Sequence, residues 1–275
     1  MSPTTTALVT GGTSGLGLAV AERLLASGVV PVLLGRGEER GRAALETLGG
    51  RAVFVPGDVT RPEDVTGALD AAEHRGTLRA VINCAGVPHA ERVVGRSGPH
   101  SLERFAEVVT ANLVGTFNVV RLGAARMAAN EPAGQERGVI VNTASLAAFE
   151  GQVGQAAYAA SKGGVVSMTL PLARELAGSL IRVVTVAPGF FATPAVAAVP
   201  AAARAELDRD LVHPRRWGDP DDFAALVAHV LDNPMINGET IRVDGAVRMS
   251  SGLRHHDTRN THHRERPDTG EASST

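Results

Sequence analysis

The chain is short of the residues that mark several protein classes. One cysteine, Cys84, among 275 residues rules out an intramolecular disulfide and fits a reducing compartment. Aromatic residues make up only 3% of the chain, too few for a surface that stacks nucleic-acid bases. A net charge of −2 gives no electrostatic reason to expect nucleic acid or an anionic membrane as partner. No unbroken apolar run approaches the ~20 residues of a membrane-spanning helix. The first residues show no basic region followed by an apolar stretch, and strand-like residues begin at Ala7. These absences lead us to expect a soluble, cytoplasmic protein.

Tyrosine and lysine are scarcer still, with one of each. Every other basic side chain of the Lys/Arg pair is arginine, 26 of the 27. The lone Tyr158 stands four residues before the lone Lys162, a coincidence expected by chance about once in 275 positions. Lysine is not arginine in small: a compact ammonium titrates and reaches a narrow pocket, whereas a guanidinium fork does neither well. On a helix, residues i and i+4 share a face, so phenol and ammonium are predicted to enter one pocket. There a phenol can move a proton while a hydride moves.

Short β-rich runs alternate with longer helical stretches, the pattern of a doubly wound parallel sheet. Strands are predicted at Ala7–Thr10, Val29–Leu34, Ala52–Val55, Ala80–Asn83, Val139–Thr143, Arg182–Val186 and Thr240–Val243. A first helix is predicted near Leu16–Ala26. From Leu102 to Met127 apolar residues recur at helical spacing (Leu102, Phe105, Val109, Leu113, Phe117, Val120). A second long helix is predicted from Gln155 to Ala177, bent at Pro171. The Ala-, Val- and Pro-rich segment from Phe190 to Asp210 reads as a mobile apolar flap over a pocket, or as a helical excursion covering core. The expectation is a single α/β Rossmann-type domain over residues 1–250 and a polar, disordered tail over 251–275. His255-His256 and His262-His263 in that tail lack the cysteine or carboxylate spacing that would fix a metal geometry, so no metal site is expected.

Thr10-Gly11-Gly12-Thr13-Ser14-Gly15-Leu16-Gly17 follows the first predicted strand. Glycines there permit a tight turn and close approach of backbone to a pyrophosphate at a helix N-terminus. This TGxxxGxG spacing resembles that of the short-chain dehydrogenase/reductase family. Asn83-Cys84-Ala85-Gly86 resembles the family's NNAG element, and Tyr158-Ala-Ala-Ser-Lys162 its YxxxK element. Asn112, Ser145, and Pro188-Gly189 with Thr193 follow in matching order, so the resemblance covers residues 7 to about 250. It implies an enzyme that interconverts a secondary alcohol and a ketone with a nicotinamide cofactor. Catalytic residues would be Asn112, Ser145, Tyr158 and Lys162. The cofactor would be held by Gly11, Ser14, Gly15, Leu16, Gly17, Arg36, Asp58, Val59, Asn83, Cys84, Ala85, Gly86, Tyr158, Lys162, Pro188, Gly189, Phe191 and Thr193.

In that scheme Tyr158 exchanges a proton with the substrate oxygen, its high pKa lowered by the Lys162 cation and any oxidised nicotinamide. Ser145 would hydrogen-bond that oxygen, and Asn112 would support a water that relays protons, although a satisfied buried amide is the alternative for Asn112. Cys84 reads as a small buried residue, since nothing local lowers its pKa.

Two longer runs, Ala147–Tyr158 and Asn233–Met249, resemble a subgroup of 3-hydroxyacyl-CoA dehydrogenases (17β-hydroxysteroid dehydrogenase-like). This implies a 3-hydroxyacyl or 3-oxoacyl thioester as substrate, with a hydroxysteroid or another apolar alcohol as alternative. Gln155 and Phe191–Thr193 would then line the active site. NAD-dependent members carry an Asp at the end of the second strand, where this chain has Gly35 followed by Arg36. Without that carboxylate, and with a guanidinium for a 2′-phosphate, NADP is expected over NAD; for NAD, Glu38 or Glu39 would have to reach the ribose. A homotetramer is expected from the resemblance, with Gly115, Ala124, Ala125, Gly163 and Gly164 allowing helices of neighbouring copies to approach. A non-catalytic nucleotide-binding regulator would have no need of the proton-transfer set. A sugar-nucleotide epimerase or dehydratase would need more chain after the sixth strand.

Overall fold

The computed structural model describes residues 4–251 apart from 97 and 198–199. The predicted tail and its histidine pairs therefore lie outside the described residues, except for Ser251.

Seven strands form one parallel sheet in the order β3-β2-β1-β4-β7-β8-β9. They are β1 (Thr5–Thr10), β2 (Val30–Gly35), β3 (Val53–Pro56), β4 (Thr77–Asn83), β7 (Gly138–Thr143), β8 (Ile181–Pro188) and β9 (Thr240–Val243). A small antiparallel pair, β5 (Val94–Gly95) and β6 (Gly98–Pro99), stands apart from the sheet. Each of the seven predicted strands is present. β4 starts three residues before its predicted limit, because Thr77 and Leu78 pair with Thr5 and Thr6 although Arg79 interrupts the apolar run.

Successive side chains of a strand point to opposite faces, and β1 shows the consequence. Ala7 and Val9 join one core with residues of α1 (Gly15–Ala26), α2 (Glu38–Thr47) and α10 (Pro220–Asp232). Leu8 joins the other, with residues of α3 (Pro62–Arg75), α5 (Gly115–Ala128) and α7 (Ala156–Leu176). Both faces of the central strands are thus covered, which explains their near-continuous Val, Ile and Leu content. Caps set some helix starts: Ser101 accepts the Arg104 amide at the head of α4 (Leu102–Val109), and Asp219 with Asp222 forms a capping box on α10.

The predicted helix over 102–127 is a single run, α4 and α5 joined by a π turn at Thr110–Val114. It is apolar and long enough by composition to cross a bilayer, and half of its most apolar stretch is buried inside the fold. α7 continues through Pro171. The segment after Phe190 holds two short helices, α8 (Pro194–Ala197) and α9 (Ala201–Leu207). Between β7 and α7 lies α6 (Ala147–Glu150).

Three of the small residues expected at contacts between copies serve the protomer itself. A Cβ on Gly115 would stand 2.6 Å from Val59, one on Gly164 would stand 2.6 Å from Leu113, and Ala124 is buried. Packing within the chain uses them first.

Candidate active site

The strand order reverses between β1 and β4. Ligands bind at such a switch point, outside the carboxyl ends of the strands. Here the ends of β1, β2, β4, β7 and β8 open onto a cleft of about 420 Å³. Gly11, Ser14, Gly15, Leu16 and Gly17 line it from the first turn. Gly11 adopts φ +64°, and its Cα sits against the chain at Cys84-Ala85, where a Cβ would meet Ala85 N at 2.8 Å. A Cβ on Gly17 would lie 2.5 Å from the Gly11 carbonyl oxygen. Ser14 makes no side-chain cap on α1, so the first amides of that helix face the cleft as orphan donors, a ready anion site. Thr193 closes the turn from the far side, 3.2 Å from a Cβ position on Gly15.

At one end of the cleft stand Gly35, Arg36, Arg40, Asp58 and Val59. Arg36 is exposed, its Nη1 3.9 Å from Asp58 Oδ2, while Asp58 Oδ1 accepts from the amide and hydroxyl of Thr60. Glu38 and Glu39, in the first turn of α2, do not line the cleft.

Ser145, Tyr158 and Lys162 line the cleft near Cys84, Ala85, Gly86, Pro188, Gly189 and Phe191. Lys162 is buried, and its Nζ donates to the Thr143 carbonyl at 2.7 Å, 6.0 Å from the Tyr158 ring centre. Burial lowers the Lys162 ammonium from 10.5 to about 8. Burial also raises the Tyr158 phenol above its ordinary value, and the Ser145 hydroxyl opposes this by hydrogen-bonding it. Of the two cations expected to acidify the phenol, Lys162 does not lower it in the protein alone. Desolvation penalises the charged form of both groups, and the ammonium spends a hydrogen bond on a strand-end carbonyl. In the protein alone Tyr158 is an acid with its proton held. Cys84 is an inert thiol, pushed up to about 11 by burial.

Two of the expected site residues stand outside the cleft lining. Asn83 does not line the cleft: its amide accepts from Thr10 Oγ1 at 3.3 Å and donates to Asn142 Oδ1 at 2.9 Å, tying three strands together below the floor. Gln155 also stands outside the lining, its Oε1 accepting the Gln152 amide at 3.0 Å in the turn before α7. Asn112 is fully buried in the π turn. Its Oδ1 accepts the Val87 amide, and its Nδ2 donates to the Val87 carbonyl and to Ser161 Oγ. Each polar group of that amide is engaged, so the side chain positions the Gly86–Val87 wall against α7 and has no donor left for a water.

Sequence reasoning missed Arg40, Thr13 and Thr143. Arg40 lies in the first turn of α2, just after the connection that holds Arg36. Thr13 lies under Gly35, 3.2 Å from a Cβ position there, and Thr143 acts through its backbone, which no side-chain pattern reveals.

The cleft fits a nicotinamide dinucleotide: its glycines form a cradle that a methyl group would fill, opposite a free helix start. Known proteins agree. A family model described as short chain dehydrogenase matches residues 5–204. The 3-hydroxyacyl-CoA dehydrogenase type-2 of Bos taurus is 51% identical over 247 residues, covering 88% of this chain and 95% of its own. The ipsdienol dehydrogenase of Ips pini is 32% identical over 246 residues, covering 88% and 96%. The crystal structure of 3-hydroxyacyl-CoA dehydrogenase type-2 from Mycobacterium avium superposes with a TM-score of 0.85 at 42% identity, over 90% of this chain and 97% of that one. With the switch-point cleft, the glycine turn and the Ser145, Tyr158, Lys162 set all in place, this chain belongs to the short-chain dehydrogenase family and is an NAD(P)-dependent oxidoreductase acting on CH–OH donors.

Proposed function

We propose that the chain interconverts a 3-hydroxyacyl and a 3-oxoacyl thioester, with NADP preferred over NAD. The substrate class rests on the 51% identity, over most of both chains, to a protein named 3-hydroxyacyl-CoA dehydrogenase type-2. The cofactor preference rests on Arg36 and Arg40 beside Gly35 at the cleft's end, with Glu38 and Glu39 outside it. A guanidinium fork matches a phosphate in two hydrogen bonds.

When bound, the nicotinamide supplies or accepts the hydride and, once oxidised, brings a positive charge that favours the Tyr158 phenolate. The chain does the rest. The amides of Gly15 to Gly17 receive the pyrophosphate. Ser145 donates a hydrogen bond to the substrate oxygen and stabilises the charge that develops there. Tyr158, which holds its proton in the protein alone, gives it to that oxygen as a carbonyl is reduced and takes it back in the reverse direction. Lys162, pinned on Thr143, lies at the junction of Gly86 and Tyr158 and would hold a ribose hydroxyl of the cofactor. The protonated phenol and the two arginines both suit reduction by NADPH.

We further propose that copies associate through α4, α5 and α7. Leu102, Val114, Phe117 and Leu170 are exposed there, Leu102 at 81%, which supports a homotetramer; a stable monomer in sedimentation at micromolar concentration would rule it out.

The test of the substrate is nicotinamide absorbance with a short acetoacetyl thioester, a steroid ketone and a terpenoid ketone, each with NADH and NADPH. The thioester should give the highest kcat/KM. A steroid or terpenoid ketone turned over faster would move the function to apolar alcohols.

A further inference from the structure

His89, Glu91 and His100 come from the connection between β4 and α4, beside the cleft but outside its lining. Their side chains converge. His89 Nε2 lies 3.2 Å from Glu91 Oε2, and His100 Nε2 lies 3.8 Å from the same oxygen. The three potential ligand atoms all fall within 4.8 Å of one another.

The His100 ring is nine-tenths buried, its side chain only 10% exposed, and its Nε2 is hidden from solvent without a hydrogen-bond partner among the described residues. Its Nδ1 stands 2.7 Å from the Ser101 carbonyl. A carbonyl only accepts, so Nδ1 carries the proton, and in the neutral ring Nε2 is a bare lone pair. That lone pair faces a carboxylate, which is itself only an acceptor when ionised. The other oxygen of Glu91, Oε1, accepts the Ser101 amide at 3.1 Å, which leaves Oε2 facing the two imidazoles. The Nε2 lone pair and the carboxylate oxygen need a cation between them, a proton or a metal ion; at 3.8 Å a proton makes no proper hydrogen bond, and a second imidazole, His89, stands on the same oxygen.

We propose that His89, Glu91 and His100 form a binding site for a divalent transition metal of the zinc class. Two imidazole nitrogens and one carboxylate oxygen are a common zinc donor set, with a fourth position left for water. Bonds of ~2.0–2.1 Å put the ligand atoms of a tetrahedral zinc roughly 3.3 Å apart. The widest separation therefore has to close by on the order of 1 Å, which His89, at 25% exposure, has room to do. The outer contacts are built as metal sites build them. The second nitrogen of His100 donates to a backbone carbonyl, the second oxygen of Glu91 accepts a backbone amide, and Phe105 packs edge-on against His100.

The site also has a mechanical consequence. The Glu91 amide donates to the Gly154 carbonyl at 2.8 Å, in the turn just before the helix of Tyr158 and Lys162. A metal on Glu91 would clamp the β4–α4 connection both to the start of α4 and to that turn, stiffening the substrate side of the cleft.

The test uses the full-length, untagged chain, stripped with a chelator and titrated with Zn²⁺ by calorimetry and with Co²⁺ by visible absorption. One strong site per chain is expected, with the intense visible bands of low-symmetry Co²⁺. His89→Gln and His100→Gln should each weaken it on the order of 100-fold, at least the loss seen when outer contacts of metal sites are removed. His89→Gln changes a partly exposed side chain and guards against misfolding of the His100 variant. Replacing His255, His256, His262 and His263 with alanine should leave the site intact. No strong site, binding indifferent to His89→Gln, or binding lost with the tail histidines would each overturn the proposal. Hydrogen exchange reads the clamp: peptides covering Glu91 and Gly154 should exchange more slowly with Zn²⁺ in the wild type and not in His89→Gln.

Discussion

The two halves of the cleft are built by different means. The cofactor half is made of backbone: glycines packed on glycines, strand ends, the start of α1, and a lysine anchored on a main-chain carbonyl. Its spacing leaves no freedom, since a Cβ at Gly17 would meet the Gly11 oxygen at 2.5 Å. Behind the other half, outside its lining, connections are held to one another by side chains. Glu150 on α6 pairs with Arg242 and accepts the Met249 amide, Ser250 donates to Asp210, and Gln155 folds back on Gln152. The lesson is that binding a dinucleotide constrains residue types, whereas shaping a substrate wall constrains only which contacts are made.

The largest effect expected from breaking this contrast comes from one methyl group. Gly17→Ala should abolish dinucleotide binding in a fluorescence titration, because only backbone stands where the Cβ must go. If Gly17→Ala bound cofactor normally, the cradle would not be where the dinucleotide lies.

A smaller effect sharpens the same half at its adenosine end. Charge-assisted hydrogen bonds contribute about 1.5–3 kcal/mol, so NADPH should be preferred by roughly tenfold to a hundredfold in kcat/KM. Gly35→Asp with Arg36→Leu should reverse that ratio, by adding a ribose acceptor that repels a 2′-phosphate. A wild type that prefers NADH would restore NAD as the cofactor.

The smallest effect is on stability. The folded pKa of Lys162 lies below the unfolded one, so the unfolded chain binds more protons between about 8 and 10.5. The lysine's unfavourable contribution is therefore full below that window and fades as pH rises through it. Lys162→Met should be inactive yet more stable than the wild type at pH 7, by roughly 1–3 kcal/mol in denaturant unfolding. The gap should shrink as pH climbs towards the unfolded value. Cys84, whose folded pKa is raised from 9.0 to about 11, and Tyr158, also raised, destabilise the fold at high pH; because Cys84 and Lys162 are coupled, the difference between the two proteins reads the lysine only where Cys84 keeps its proton. A less stable Lys162→Met would mean that the bond to Thr143 outweighs the burial of charge.

The same contrast explains what the sequence made legible. The strand pattern, the glycine turn and the Tyr158–Lys162 pair were readable because each needs particular residue types at particular spacings. Arg79 hid the start of β4, since a strand reads as apolar only where both faces are covered. The π turn at Thr110–Val114 was invisible because one extra residue per turn falls within the tolerance of a helical repeat. Asn83 and Asn112 were legible as members of a motif but not in their roles, which depend on which partners fill their amides. His89, Glu91 and His100 gave no signal, because their convergence comes from a loop path between them.

The central claim is that Tyr158 carries the proton for a hydride transfer at this cleft. The direct measurement is Tyr158→Phe, with NADPH binding read by fluorescence and turnover of an acetoacetyl thioester read by nicotinamide absorbance. The variant keeps the ring and loses only the hydroxyl. Cofactor affinity should survive while kcat falls by ~10²–10⁴-fold, the usual cost of a lost general acid–base. Turnover close to that of the wild type would contradict the claim.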